Sequence, residues 1–391
     1  MFKMINKIQH YDWGSKDALT KLYHIKNPQH LPMAELWMGA HPKASSMVED
    51  LNSQQKISLD KLIATDPSYY LGEKIAQKFH RLPFLFKVLC AAQPLSIQVH
   101  PDKIAAEVGF KRENAAGIAL DCPNRNYKDD NHKPELIYAL TPFKALNSFR
   151  PLKEIANLLL PIAEASPVIQ RFLKTPTETQ LVQLFKHVLS LTTKEKQPLH
   201  TALKSVLQQE KGEPWSTIEK MLPLYPEDNG LFAPLLLNII ELQPGEAMFL
   251  YARTPHAYIE GVGLEVMANS DNVLRAGLTN KHINIAELLA NLDFIAKPCG
   301  TLSLQPNIHN NGFCYPIPVD DFAFSLYLID NQLTTIANNS ATILFCVEGK
   351  ISITSENQTA EILSGESIFI SASEGQIMLN GKGKLARVFN Y

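Results

Sequence analysis

The hydrophobic period changes along this chain, and no single architecture accommodates such a change. From residue 1 to about 150 the apolar residues fall in short β-favouring runs broken by Pro, Gly, Asn and Asp, as in LPFLFKVL (82–89) and PLSIQVHPD (94–102), a pattern of strands and loops with few short helices. Between about 151 and 220 the spacing becomes i, i+3, i+4, through Leu152, Ile155, Leu159 and Ile162, then Leu181, Leu184, Phe185 and Val188, then Leu199, Leu203, Val206 and Leu207. That spacing predicts three or four amphipathic helices inserted into a β protein. After YPEDNG (225–230) the β pattern returns, with 231–259 read as a buried strand, a Pro-Gly turn and a second strand. The tail alternates briefly between EG, SG, EG and NG turns, as antiparallel sandwiches and barrels do. The expected division is a β domain from 1–150 and 231–300, a helical insertion at 151–230 and a second β domain at 301–391.

Two segments, PGEAMFLYARTPHAY (244–258) and SGESIFISASEGQIM (364–378), share a Gly-Glu-x-x-Phe core, a trace of two related β modules. Composition narrows the function classes. A formal charge of −2 over 391 residues lacks the basic surplus that nucleic acid or an anionic membrane surface requires. No apolar run reaches the ~18 residues of a membrane helix, and the charged N-terminal stretch does not read as a signal peptide. A cytoplasmic location is expected. Five cysteines without a CxxC pair suggest reduced thiols, mostly small buried hydrophobes, and the absence of heptads suggests a monomer.

Three segments offer metal ligands. Gln98 and His100 stand two residues apart in SIQVHPDK, so on a strand both project from one face. Glu135 follows Pro134 at the head of an apolar run, and His256 follows Pro255, read as the end of the FLY strand. Singly, each could be a hydrogen-bonded histidine or a surface carboxylate. Together, in apolar strands where unpaired charge is costly, they point to a coordinated ion. Two nitrogens and two oxygens suit Zn²⁺ without excluding Mn²⁺, Fe²⁺ or Co²⁺.

Around these residues lie further polar groups. Lys87 interrupts an apolar strand and reads as a site lysine or an edge-strand gatekeeper. Lys133 shares the face of Glu135, and Ser96 that of Gln98. Glu265, Asp271 and Arg275 occupy a loop between Gly263 and Gly277, where the arginine clamps an anion or forms a surface pair with an aspartate. A metal, two lysines, an arginine and a hydroxyl on one wall suit a small polyhydroxylated anion and proton transfer next to a carbonyl.

The segments YDWGSK (11–16), AELWMGAHP (34–42), PLSIQVHPDK (94–103), HKPELIYAL (132–140), GEAMFLYARTPHAYIEG (245–261) and VMANSDNVLRAGLT (266–279) together resemble type I mannose-6-phosphate isomerases. The resemblance runs from about residue 7 to 300, with a looser fit in the tail. It implies a mainly β protein of two cupin-type (jelly-roll) barrels with a helical insertion. It also implies one Zn²⁺ per chain and interconversion of mannose 6-phosphate and fructose 6-phosphate through an enediol. The family's zinc ligands fall on Gln98, His100, Glu135 and His256, and its catalytic arginine on Arg275. Lys87, Ser96, Lys133, Tyr258, Glu265 and Asp271 coincide with pocket positions. Lys133, Lys87, Glu265 and His41 are candidate proton carriers, with Lys133 preferred, and His132 is a further pocket candidate. The tail lacks a QVH-like pair and has Glu374-Gly375 where the first module has Pro255-His256, so no metal is expected there. A non-catalytic sugar-phosphate sensor and an iron oxygenase are the competing readings, and the neutral Gln98 counts against the latter.

Overall fold

The computed structural model describes residues 1–309, 312–356 and 358–391. Its architecture is mainly β, with two eleven-stranded sheets and a helical insertion. One sheet holds the strands around the predicted ligands, among them Glu35–Gly39, Phe84–Ala91, Gln98–Val99, Glu135–Ala139, Phe143–Phe149, His256–Ala268 and Leu274–Arg275. The other collects the C-terminal strands together with Phe2–Ile5, Met47–Asp50 and Lys56–Ser58. The segment 1–150 therefore contributes to both sheets, and strands of three or four residues carry too little pattern to name their partners.

Phe84–Ala91 is buried at every position, which is why it reads as an unbroken apolar run. Phe84, Phe86, Val88 and Cys90 face a core shared with Phe324, Phe345, Phe369 and Val388 of the C-terminal sheet. Leu89 and Ala91 turn the other way, toward Ile137, Ala145, Leu250 and Tyr258. Five α-helices form the insertion, Leu152–Leu159, Pro167–Lys174, Glu178–Leu189, Thr193–Gln209 and Trp215–Met221. That is more than the three or four expected, because Pro167–Lys174 and Trp215–Met221 are short helices outside the apolar stripes read from the sequence. The apolar faces of the set are buried against Ile97, Val99, Leu146, Phe149, Ala257, Ile259, Leu274 and Ala276. The insertion thus backs the short strands that carry Gln98, His256 and Arg275.

The two modules repeat one pairing pattern. His256–Ala268 pairs with Phe84–Ala91, Gln98–Val99, Glu135–Ala139 and Phe143–Phe149. Gly375–Phe389 pairs with Ala323–Asp330, Thr334–Asn338 and both halves of Thr342–Thr354. The Gly-Glu turns match as well. The Gln243 amide donates to Glu246 Oε2 at 2.8 Å and the Leu363 amide to Glu366 Oε2 at 3.0 Å. Gly245 and Gly365 have φ of 99° and 86°, values that exclude most side chains. Aligned on these turns, Gln376 rather than Gly375 stands opposite His256. The interior of the C-terminal module is filled by Met1, Ile336, Leu344, Ile351, Ile353, Ile377, Leu379 and Leu385.

Three local expectations change. Glu265 lies within the strand His256–Ala268 and Arg275 within Leu274–Arg275, so only Asp271 of the three is in a loop. His256 does not end the FLY strand, because Ala247–Leu250 closes first and His256 opens the next strand. Of the five cysteines only Cys90 and Cys346 are buried, and all five are free.

Candidate metal centre

The two-residue strand Gln98–Val99 lies between two neighbours, with Gln98 in register with both His256 and Arg275. Ile97, Val99, Ala257, Leu274 and Ala276 pack on the helices, so alternation turns Gln98, His256 and Arg275 to the opposite face. Across that face Glu135 opens its strand. His100 Nε2 lies 3.3 Å from Glu135 Oε1, and His256 Nε2 lies 3.4 Å from Glu135 Oε2. Donors each ~2 Å from a tetrahedral ion stand about 3.3 Å apart, so the spacing fits one ion held by all three.

Hydrogen bonding behind the imidazoles fixes their tautomers. His100 Nδ1 is 2.7 Å from the Asn272 carbonyl and His256 Nδ1 3.0 Å from the Thr254 carbonyl. A carbonyl only accepts, so both Nδ1 atoms carry the proton and both Nε2 atoms present lone pairs to the carboxylate. His100 Nε2 is buried with no hydrogen-bond partner. Burial, reinforced by the Lys133 charge, pushes the His100 imidazole down to about 4, so protonation does not relieve the contact at neutral pH. Burial alone would raise the Glu135 carboxyl, but the Lys133 ammonium at 2.8 Å holds it well below the usual range. The Glu135 carboxylate and the two Nε2 atoms converge on one point where a cation could sit, and the donor set suits zinc.

Comparison with known proteins agrees along the whole chain. The phosphomannose isomerase type I catalytic domain matches residues 1–152, the type I helical insertion domain 158–237, and the mannose-6-phosphate isomerase cupin domain 313–390. Identity to the mannose-6-phosphate isomerase of Escherichia coli (strain K12) is 56% over 390 residues, covering 100% of both chains. The chain belongs to the type I phosphomannose isomerase family. It is accordingly an enzyme of the isomerase class. More distant members include the mannose-6-phosphate isomerase of Rattus norvegicus, 36% identical over 96% of this chain and 94% of that one. A variant of the Salmonella typhimurium phosphomannose isomerase superposes with a TM-score of 0.98 at 54% identity, covering 100% of this chain and 99% of that one. A zinc-bound mannose 6-phosphate isomerase gives a TM-score of 0.96 at 54% identity and the same coverage.

For this family member the remaining candidates divide into three groups. Lys87 is on an inner strand, not an edge, with Nζ 2.7 Å from Glu265 Oε2 and 3.4 Å from Glu35 Oε1, and 5.5 Å from the centre of the Trp37 ring. Burial opposes its charge, but the two carboxylates more than compensate and raise its pKa. Burial also raises the Glu265 carboxyl, yet an ammonium at 2.7 Å keeps it ionised. The Tyr258 hydroxyl is buried without a partner and is pushed upward by burial and by Glu265.

Asp271 pairs with Lys43 at 2.8 Å and faces His41 Nε2 at 3.6 Å, rather than pairing with Arg275. Arg275 has no side-chain ion pair within 4 Å among the described residues. After desolvation, the charges of Arg275, Lys43 and Lys128 all depress the solvent-exposed Lys281, which places four cations in one neighbourhood. Ser96 is partly buried in the coil before Gln98. His132 is turned away to Asp321 Oδ2 at 2.9 Å.

Sequence reasoning missed Glu35, Trp37 and Lys281. The first two had the same signal as Lys87, polar atoms in the apolar run ELWMG. It also missed the Asn272 and Thr254 carbonyls, which have no side-chain signature.

Proposed function

We propose that this chain is a zinc-dependent aldose–ketose isomerase that interconverts D-mannose 6-phosphate and D-fructose 6-phosphate. The observation that carries the reading is the buried, unpartnered His100 Nε2 aimed at Glu135 and His256, in a chain whose relatives are named for this reaction. One Zn²⁺ is held by Gln98, His100, Glu135 and His256. When bound, it would supply a Lewis acid for a sugar oxygen.

The chain's own residues do the rest. Lys133, whose Nζ already touches a ligand carboxylate, takes the C2 proton as the C1 carbonyl becomes the enediol hydroxyl. The proton on O1 comes from the O2 hydroxyl, and Lys133 returns the proton it took to C1, leaving a carbonyl at C2 and completing the aldose-to-ketose exchange. Arg275, free of a carboxylate partner, stabilises the developing oxyanion. Lys43, Lys128 and Lys281 add positive charge for the substrate phosphate. Lys87 is locked to Glu265, so the pair orients sugar hydroxyls together with Tyr258, Ser96 and Asp271.

In this reading each sheet is a cupin-type jelly-roll barrel. The catalytic module spans 1–150 and 231–300, the insertion 151–230, and the metal-free module 301–391, in a cytoplasmic monomer. No described helix is long and apolar enough to cross a membrane. The test is incubation with mannose 6-phosphate in D₂O. Fructose 6-phosphate is expected, with loss of turnover under a chelator and recovery with zinc, and absence of product in the zinc-restored protein contradicts the reading.

A further inference from the structure

The strand carrying Glu135 begins at that residue, and 130–134 reach it as coil, tied to the neighbouring strand only at Pro134, whose carbonyl accepts from the Ala268 amide at 3.2 Å. Cavities of about 380 and 810 Å³ flank this stretch, and His132 lines both, as do Pro318 and Val319 of the C-terminal part. The coil is held from two sides. The Asn131 carbonyl accepts from Asn272 Nδ2 at 2.9 Å and Ser270 Oγ at 3.1 Å, the same loop whose Asn272 carbonyl orients His100. On the other side His132 Nε2–H donates to Asp321 Oδ2 at 2.9 Å. Among the described residues no other side-chain hydrogen bond joins 116–135 to residues beyond 300.

Asp321 is itself well anchored. Its side chain is only 7% exposed, and its carbonyl accepts from Asn390 Nδ2 at 2.8 Å, while the Asn390 amide donates to Ser340 Oγ at 3.0 Å. A rigid, buried carboxylate of the second module therefore reaches across the seam to a residue adjacent to Lys133. Lys133 must stand within hydrogen-bond reach of the reacting centre, and placement of such a group is worth large rate factors. We propose that Asp321 is a positioning residue for the isomerase reaction, acting through His132 to fix Lys133 and Glu135. This rests on the function proposed above, and it gives the metal-free C-terminal module a direct part in the chemistry.

The experiment measures kcat, KM, zinc content and melting temperature for zinc-loaded full-length protein and for Asp321→Ala, Asp321→Asn, His132→Ala and the Asp321→Ala/His132→Ala double variant. Asp321→Ala is expected to lower kcat roughly 10- to 100-fold with KM, zinc content and melting temperature close to the parent. Asp321→Asn, which keeps an acceptor oxygen, recovers most of the loss. The double variant is no slower than the slower single variant, as expected for two residues acting as one unit. A parental kcat in Asp321→Ala, single losses that multiply in the double variant, or a loss that Asp321→Asn does not recover overturns the proposal. Lack of turnover in the unmutated protein would instead remove the isomerase reading beneath it.

Discussion

His41 shows what burial does to a titratable group beside this centre. Its side chain is 5% exposed, and burial, only partly offset by Asp271, pushes the imidazole down to about 4. An unfolded histidine titrates near ~6.5, so between those values the unfolded chain binds a proton that the folded one refuses, and stability falls as pH drops. About 3 kcal/mol is lost across that window at 1.36 kcal/mol per pH unit. Denaturant titrations at pH 6.5 and 4 should show this loss, and His41→Gln should flatten the difference by a similar amount. At this scale the sequence was informative wherever a polar side chain interrupts an apolar strand. Gln98, His100, Glu135, His256 and Lys87 all stand out in that way. Partners contributed by the backbone, such as the Asn272 and Thr254 carbonyls, are invisible because every residue has a carbonyl. Asp321 was equally hidden, since its partner lies 189 residues away.

Among elements, the helix Lys103–Ala115 went unread because its apolar residues have little periodic order and Ile104 and Val108 are exposed. Its role lies in Gly109, where an added Cβ would stand 2.3 Å from the Tyr127 ring. That ring is fully buried, and its hydroxyl bonds Glu287 at 2.5 Å and Asn291 at 2.9 Å, so it has no room to yield. Gly109→Ala should therefore destabilise the protein by about 1–3 kcal/mol, measured by chemical denaturation. It should also loosen the Lys128–Asp129 stretch that bonds Asn272. Three insertion helices were legible because each buries an i, i+3, i+4 stripe, whereas Pro167–Lys174 and Trp215–Met221, of 8 and 7 residues, are too short to show one. The strand Gln98–Val99 is two residues long, too short for any period, and only its neighbours' register shows that Gln98 meets both His256 and Arg275.

On the scale of the whole molecule, the two sheets share one core, and Phe2–Ile5, Met47–Asp50 and Lys56–Ser58 belong to the C-terminal sheet. A chain ending at residue 300 would expose Phe84, Phe86, Val88 and Phe249 and leave Phe2–Ile5 without Ser367–Ile370. Loss of soluble yield and of a cooperative melt is expected for that truncation, and a stable, active fragment would contradict the shared core. The duplication was faint in sequence because only the Gly-Glu turn is constrained by backbone geometry, whereas the strands tolerate any apolar residue of suitable size. The two interiors differ, with one holding the His100, Glu135 and His256 cluster and the other filled by Ile, Leu and Met1. The central claim is that a single buried cluster around Glu135 holds the metal on which catalysis depends. Metal analysis combined with the mannose 6-phosphate assay on Glu135→Ala tests it most directly. The parental chain is expected to carry about one zinc, with metal and turnover lost together in the variant, whereas a variant that keeps its zinc and full activity would overturn the assignment of Glu135.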